Sequence, residues 1–519
     1  MDSTLIKALR DLLQRQTGQP VALLQTHISW VLLTCEHAYK LKKPVQLPFA
    51  DFSSVAARKH FCEEELRLNR RFAPSLYLDV VPVCGTFASP RIGGSGTPID
   101  YLVHMRRFPD GALLSEMLHS QLSAPTLLEE FGQRLATSQA DAAQADPAST
   151  YGSPAQILGA TTDVLASLAN LSWPDLEQGN LLSTLTAWVE EKQLGLVPTL
   201  EQRQRSKAVR ECHGDLHAGN VVLLDGQLTA FDCIEFDPAL RWIDVMNDVA
   251  FLTMDLKVHG RADLAWSFLD AWLDYSGDHA GLSVLRFYEV YRALVRALAS
   301  HLAGYMDDAS NYLRSGHSLA IGPESGGRLL ITHGFSGSGK STIARKLLAK
   351  AGAIRVRSDV ERKRLFGLAP LDQSKAAGLD IYSEDATYRT FSRLLKCTRE
   401  ALLAGYPVIV DATFLRSAER QRFERLAAEL RLPYTILDCQ ADTDTLRRRV
   451  AERHTHSNDP SEAGPDVVEM QFARHEVLSE RERALAISVH TDAEVNIDMV
   501  VNLWCGAVPT LCMNKVQSS

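Results

Sequence analysis

Apolar and polar positions alternate from Val21 onward: "VALLQTHISWVLLTCEHAYKLKKP" sets β-branched and apolar runs between polar breaks, which predicts strands over residues 20 to 50. Ahead of it, "MDSTLIKALRDLLQRQTGQP" has the spacing of an amphipathic helix. From Ser53, "SSVAARKHFCEEELRLNRRFA" changes to a helical period, with Phe61, Leu68 and Phe72 near one face. "LDVVPVCGTFA" and "PIDYLVHMRRF" return to the strand rhythm. Helical spacing holds from Ala112 to about Gln204, apart from a Ser/Ala/Gly-rich stretch near 145–159. It resumes after an acidic segment, 213–237, and runs to about Leu313. Strands first and helices later predict one sheet-rich lobe and one helical lobe.

"SGHSLAIGPESGGR", residues 315–328, is rich in Gly, Ser and Pro and reads as a linker. Beyond it, "LLITHG", "YPVIVDATF", "PYTILDC" and "AISVHT" are short apolar runs separated by long helical segments, the pattern of a parallel α/β sheet. The expected partition is a domain over 1–315, a linker over 316–327 and a second domain over 328–519.

Composition narrows the function. A chain of 519 residues, 45% hydrophobic and 23% charged, holds enough apolar material for at least two cores. A net charge of −8 excludes a generic nucleic-acid binder but leaves room for a local basic pocket. The nine cysteines are scattered without a C-x-x-C pair, as expected of reduced thiols in a cytoplasmic protein. No run of about 18 apolar residues occurs, so neither a membrane span nor a membrane partner is expected. The sequence names no protein partner.

"GFSGSGKS", Gly334-Phe335-Ser336-Gly337-Ser338-Gly339-Lys340-Ser341, fits G-x-x-x-x-G-K-[ST] completely. Its glycines let backbone N–H groups curl around phosphates, Lys340 adds a point charge, and the Ser341 hydroxyl suits Mg²⁺. Thr342 opens the helical segment whose positive dipole end faces the nucleotide. Further on, Asp359 ends a strand-like run and Arg362 follows one helical turn later. Asp359 is a candidate base for an attacking hydroxyl, or a helix cap; Arg362 is a candidate substrate clamp, or a solvated side chain. Asp411 ends "YPVIVD", where a strand delivers a metal-site carboxylate, or serves as a cap. Arg449 and Arg453 share a helix face before a polar loop, as a lid over ATP requires or as a solvated helix surface shows. These pieces resemble the P-loop kinases that include polynucleotide kinases, zeta-toxin-like kinases, gluconate-kinase-like enzymes and AAA-type predicted kinases. The likeness covers roughly 328–495 and implies transfer to a small-molecule hydroxyl or a nucleic-acid 5′-hydroxyl.

The acidic segment "HGDLHAGNVVLLDGQLTAFDCIEFD" holds a second constellation. Asp215 can orient a substrate hydroxyl, Asn220 offers Mg²⁺ a neutral oxygen, and Asp232 an anionic one after a strand–turn–strand return. That order, H-x-D-x-x-x-x-N, a hairpin, then Asp, resembles the aminoglycoside phosphotransferase/choline-kinase-like family over about 20–315. The resemblance implies a bilobal α+β protein-kinase-like domain that binds Mg·ATP. It also implies a small-lobe lysine and a helical glutamate: Lys40 fits best, with Lys42 its rival on the same face, and Glu65 is the glutamate. His213 reads as structural rather than catalytic, His217 as loop filler rather than a ligand, and Arg292 with Arg296 as a solvated stripe ahead of an anion-facing pair. Asp237, Asp244 and Asp248 read as caps or braces. Two departures stand out: "THISWV" replaces a glycine-rich loop, and "DCI" replaces D-F-G. The expected protein is therefore a bifunctional ATP- and Mg²⁺-dependent kinase. Its rival is a P-loop kinase regulated by a nucleotide-sensing N-terminal domain.

Overall fold

The alternation after Val21 folds into an antiparallel sheet whose inner strands have a face to bury, while its first strand is exposed throughout. In this computed structural model, which describes residues 2–47, 50–119, 125–173, 176–322, 326–374, 378–456, 460–462 and 464–506, the strands are β1 (Ala22–Gln25), β2 (Ser29–Leu33), β3 (His37–Lys42), β4 (Tyr77–Thr86), β5 (Ser89–Ile92) and β6 (Pro98–Arg106). Their order is β1-β2-β3-β6-β4-β5. Helix α1 (Asp2–Thr17) lays Leu5, Leu9 and Leu13, spaced four apart, onto Leu32, Leu41, Val83 and Leu102. Helix α2 (Val55–Asn69) starts at Ser54, whose hydroxyl accepts from Ala57 N. It buries Cys62, Glu65, Leu68 and Asn69. A hairpin of β7 (Val221–Leu224) and β8 (Gln227–Ala230) turns at Asp225-Gly226, both left-handed, as a two-residue hairpin turn requires.

The chain forms two compact units. The first comprises residues 1–261 and 287–317 and includes the sheet, the hairpin and helix α3 (Val245–Val258), of which all but the last turn is buried. The second comprises residues 262–286 and 318–519, so helix α4 (Ala262–Ser276) belongs to it together with the C-terminal part of the chain. Helix α5 (Leu282–Leu302) follows, with its residues from Phe287 on in the first unit. The Gly/Ser-rich stretch read as a linker begins inside a helix, Met306–Ile321. Ala309, Tyr312 and Leu313 fix that helix by burial, which outweighs the loop-like composition of its last turns.

The second unit is built on a five-stranded parallel sheet. Its strands are β9 (Leu329–His333), β10 (Ile354–Arg357), β11 (Val408–Asp411), β12 (Tyr434–Gln440) and β13 (Ala486–His490), in the order β10-β11-β9-β12-β13. Central β9 is buried at every position, the continuous apolar run a sheet covered on both faces needs. Leu330, Ile409 and Leu437 from the strands pack with Ile343 and Leu347 of helix α6 (Lys340–Ala351). Helix α7 (Ser358–Leu365) follows β10 directly, and helices α8 (Glu384–Leu403) and α9 (Thr443–His456) complete the parts used below. Loops after β9, β10 and β11 thus gather at the carboxyl edge of the sheet, where open α/β sheets bind ligands. Among the described residues, no helix is long and apolar enough to cross a membrane.

Candidate active sites

In the first unit, strand periodicity puts Lys40 and Lys42 on one face of β3, and α2 aims Glu65 between them. Lys40 Nζ lies 2.9 Å from Glu65 Oε1 and 2.5 Å from Asp232 Oδ1. Lys42 Nζ lies 2.6 Å from Glu65 Oε2 and 2.5 Å from Glu235 Oε1. The two lysines are therefore not alternatives: one faces Asp232, the other anchors Glu65 from behind. Burial alone would lower the Lys40 pKa, but Asp232, Glu65 and Glu235 raise it well above the usual lysine value. Burial would raise Glu65, yet the two ammonium groups hold it down at about 2. Asp232 adopts a left-handed backbone, φ 63°, and its N–H donates to the Tyr77 hydroxyl at 3.1 Å. A strained non-glycine residue held by its surroundings fits a functional position.

The catalytic-type loop is braced from beneath. Asp248 accepts from the N–H groups of His213 and Gly214 at 2.7 and 2.8 Å. His213 accepts from Asp215 N through Nδ1, so its Nε2 carries the proton and donates to Phe231 O at 2.9 Å, a structural role. Asn220 Nδ2 donates at 2.9 Å to both the main-chain oxygen and Oδ2 of Asp215. The reading of His217 as filler does not survive. Its Nδ1 accepts from Gly219 N, and its Nε2 lies 3.5 Å from Asp215 Oδ2. Arg292 and Arg296 are not a solvated stripe: Arg292 is buried and bonds Asn247, and Arg296 Nη1 lies 3.3 Å from His217 Nε2. Burial would raise the Asp215 pKa, but His217, Arg296 and His213 hold it well below the carboxylate range. A cavity of about 500 Å³ adjoins this loop, lined by His119, His217, His259, Arg296 and Tyr312 among others.

In the second unit, one pocket is lined by Ser336, Gly337, Gly339, Lys340, Ser341 and Thr342 on one side. Asp359, Arg362, Asp411 and Arg449 line it too, so the structure brings these sequence candidates together. Gly334, Gly337 and Gly339 have φ of 133°, 85° and 78°, which L side chains rarely adopt. A Cβ at Gly337 would stand 2.8 Å from Leu446 O, so Gly337→Ala is expected to weaken nucleotide binding by about tenfold or more, read by calorimetry with Mg·ADP. Lys340 Nζ donates to Phe335 O at 2.6 Å. The Phe335 ring turns away, packing on Phe472 and His475, and the buried Ser338 likewise supports the loop from behind. Arg449 donates to Gly337 O at 3.3 Å and to Thr491 O at 2.7 Å, which ties α9 to the loop. The Arg453 side chain lies outside the described residues. Arg362 is buried, lies over the Tyr382 ring and donates to Ile381 O at 2.9 Å, while its Nε has no hydrogen-bond partner.

The residues suit magnesium. Asp411 Oδ2 is buried without a hydrogen-bond partner, and Asp411 lines the pocket that Ser341 also lines, so carboxylate and hydroxyl oxygens are there for a hard cation. In the first unit, Asn220 commits its amide nitrogen to Asp215 and keeps its oxygen, which with Asp232 makes a similar set. A third cluster, His279, Glu361 and Cys397, does not: both Glu361 oxygens are already engaged, Oε1 by Arg364 at 3.2 Å and Oε2 by Arg393 at 2.7 Å.

A kinase-like Lys–Glu pair in one unit and a P-loop on a parallel sheet in the other define a protein of the phosphotransferase class. Residues 51–288 match the phosphotransferase enzyme family, and residues 329–478 match an AAA domain of the P-loop kinase type. An uncharacterized protein of Mycobacterium tuberculosis is 30% identical over 444 residues, 84% of this chain and 86% of the relative; a Mycobacterium bovis protein matches equally. The chain belongs to the family of these uncharacterized mycobacterial proteins. Among solved structures, a choline/ethanolamine kinase family protein from Mesorhizobium loti is 12% identical, covering 60% of this chain and 99% of its own, with a TM-score of 0.35. A gluconokinase from Sinorhizobium meliloti is 15% identical, covering 34% of this chain and 87% of its own, with a TM-score of 0.25.

Proposed function

We propose that the chain is a two-site ATP-dependent kinase in which each unit binds Mg·ATP and transfers the γ-phosphate to a hydroxyl. One arrangement, present in both units, carries this reading: a buried lysine stands with oxygen donors suited to Mg²⁺ and a further carboxylate placed for the acceptor. Bound Mg²⁺ would neutralise phosphate charge, held by Asn220 and Asp232 in the first unit and by Ser341 and Asp411 in the second.

In the first unit, Lys40 directs its charge at the phosphates while Glu65 and Lys42 fix its position. Asp215 stays ionised and accepts the hydrogen bond of the acceptor hydroxyl, aligning it for attack. A carboxylate so far below its usual pKa is a weak base, which suits a loose transition state that needs orientation more than early proton removal. The cavity of about 500 Å³ is sized for a small molecule, so a small polar alcohol is the acceptor proposed here. In the second unit the loop amides and Lys340 hold the phosphates, Asp359 faces the acceptor hydroxyl, and Arg362 holds the acceptor. That acceptor is a small molecule or a 5′-hydroxyl end. Arg449 closes the nucleotide side.

A metabolite-pool screen with γ-labelled ATP tests the reading, with a 5′-hydroxyl oligonucleotide as a separate arm. Wild type is expected to give labelled products that separate into two sets, one absent in Asp215→Asn and the other in Asp359→Asn. Unchanged products in both variants would overturn the residue roles. Loss of every product in Lys340→Ala, with none lost in Asp215→Asn, would make the first unit a regulator instead.

A further inference from the structure

Residues 262–286 fall within the stretch matched to the phosphotransferase family, yet they pack in the P-loop unit. Helix α4 presents Asp270 and Asp274 four residues apart, a rise of about 6 Å along one face. Strand β10 presents Arg355 and Arg357 two residues apart on one side, about 6.6 Å. The two spacings match, and the pairs close. Arg355 meets Asp270 through two bonds, Nη2 to Oδ2 at 2.6 Å and Nε to Oδ1 at 3.2 Å, and Arg357 Nη1 meets Asp274 Oδ2 at 2.9 Å.

These guanidiniums stand beside the chemistry. Arg357 lines the pocket with Asp359, and Arg355 Nη1 is only 3.8 Å from Asp411 Oδ2, the orphaned oxygen suited to Mg²⁺. Without a carboxylate of its own, Arg355 would turn to Asp411 and occupy the place of the cation. The end of α4 completes the brace. Its last carbonyls, those of Asp274 and Tyr275, accept from Arg364 at 2.5 and 3.1 Å, and Gly277 O accepts from Arg393 at 3.2 Å. Arg364 sits on α7, the helix that carries Asp359 and Arg362.

We infer that Asp270 and Asp274 are positioning residues of the P-loop site, keeping Arg355 and Arg357 off the carboxylates that bind metal and orient the acceptor. This rests on reading that pocket as an Mg·ATP site. The α4 segment is thereby a working part of the second site.

The test uses the full chain and a fluorescent ATP analogue, counting only the binding that Lys340→Ala removes. The Mg²⁺ concentration giving half-maximal enhancement of binding is measured, with affinity in EDTA as the control. Asp270→Asn is expected to raise the Mg²⁺ midpoint by about tenfold while leaving the EDTA affinity within about twofold, because one buried cation is redirected onto Asp411. Asp270→Glu should restore the midpoint. The double variant Asp270→Asn with Arg355→Gln should restore it too, since no guanidinium remains to compete, and it serves if the single variant folds poorly. An unmoved midpoint in folded Asp270→Asn, or a double variant as impaired as the single, would overturn the inference. Absence of any Lys340-dependent binding in wild type would instead overturn the reading of the pocket itself.

Discussion

Lys340→Ala is expected to abolish phosphotransfer by the P-loop unit, lowering it by at least about 100-fold, and to weaken its Mg·ATP binding by about tenfold or more. Lys340 is buried at the first turn of α6, with its ammonium on Phe335 O. A charge held at a helix N-terminus in a water-poor loop acts on phosphate far more strongly than a solvated one. Shortening it leaves the glycine conformations of the loop and the sheet core untouched, so the melting temperature should hardly move. Labelled transfer and calorimetry on one preparation check both halves, and the products of the first unit should persist. A folded variant that keeps full P-loop transfer would remove Lys340 from the mechanism.

Asp215→Asn is expected to lower first-unit transfer by about 10³-fold with the KM for ATP within about threefold. The asymmetry follows from position. On the proposed reading Asp215, bonded to Asn220 and facing His217, lies on the acceptor side, and Lys40, Glu65 and Asp232 would hold the nucleotide. An amide keeps an oxygen for Asn220 but loses the negative charge that attracts the acceptor hydroxyl and balances Arg296. Steady-state kinetics on the labelled product of that unit decides it. A KM for ATP raised in step with a fall in kcat would place Asp215 on the nucleotide instead.

Much of this is legible in the sequence. The G-x-x-x-x-G-K-S loop, the strand before it and the helix after it leave few other folds open, and the alternating strand and helix periods predict the parallel sheet that β9 to β13 form. The H-x-D-x-x-x-x-N order likewise predicted the loop and hairpin that bring Asp215, Asn220 and Asp232 to one place. What was missed depends on pairing across the chain. Arg292 and Arg296 have the spacing of a solvated helix face, and only packing shows that Arg296 faces His217. Lys42 and Glu235 are far apart in sequence, so their buried contact has no local mark. The pairing of Asp270 with Arg355 and of Asp274 with Arg357 has no local mark either. The available signal was charge at matching spacing within otherwise apolar segments, D-x-x-x-D and R-x-R, which local periodicity treats as exposure.

Calorimetry of the full chain with a non-hydrolysable ATP analogue and Mg²⁺ tests the central claim most directly. Two equivalents are expected to bind per chain, one of them weakened by about tenfold or more in Lys340→Ala and the other in Asp232→Asn. A single equivalent in wild type, lost in Lys340→Ala and untouched by Asp232→Asn, would contradict it.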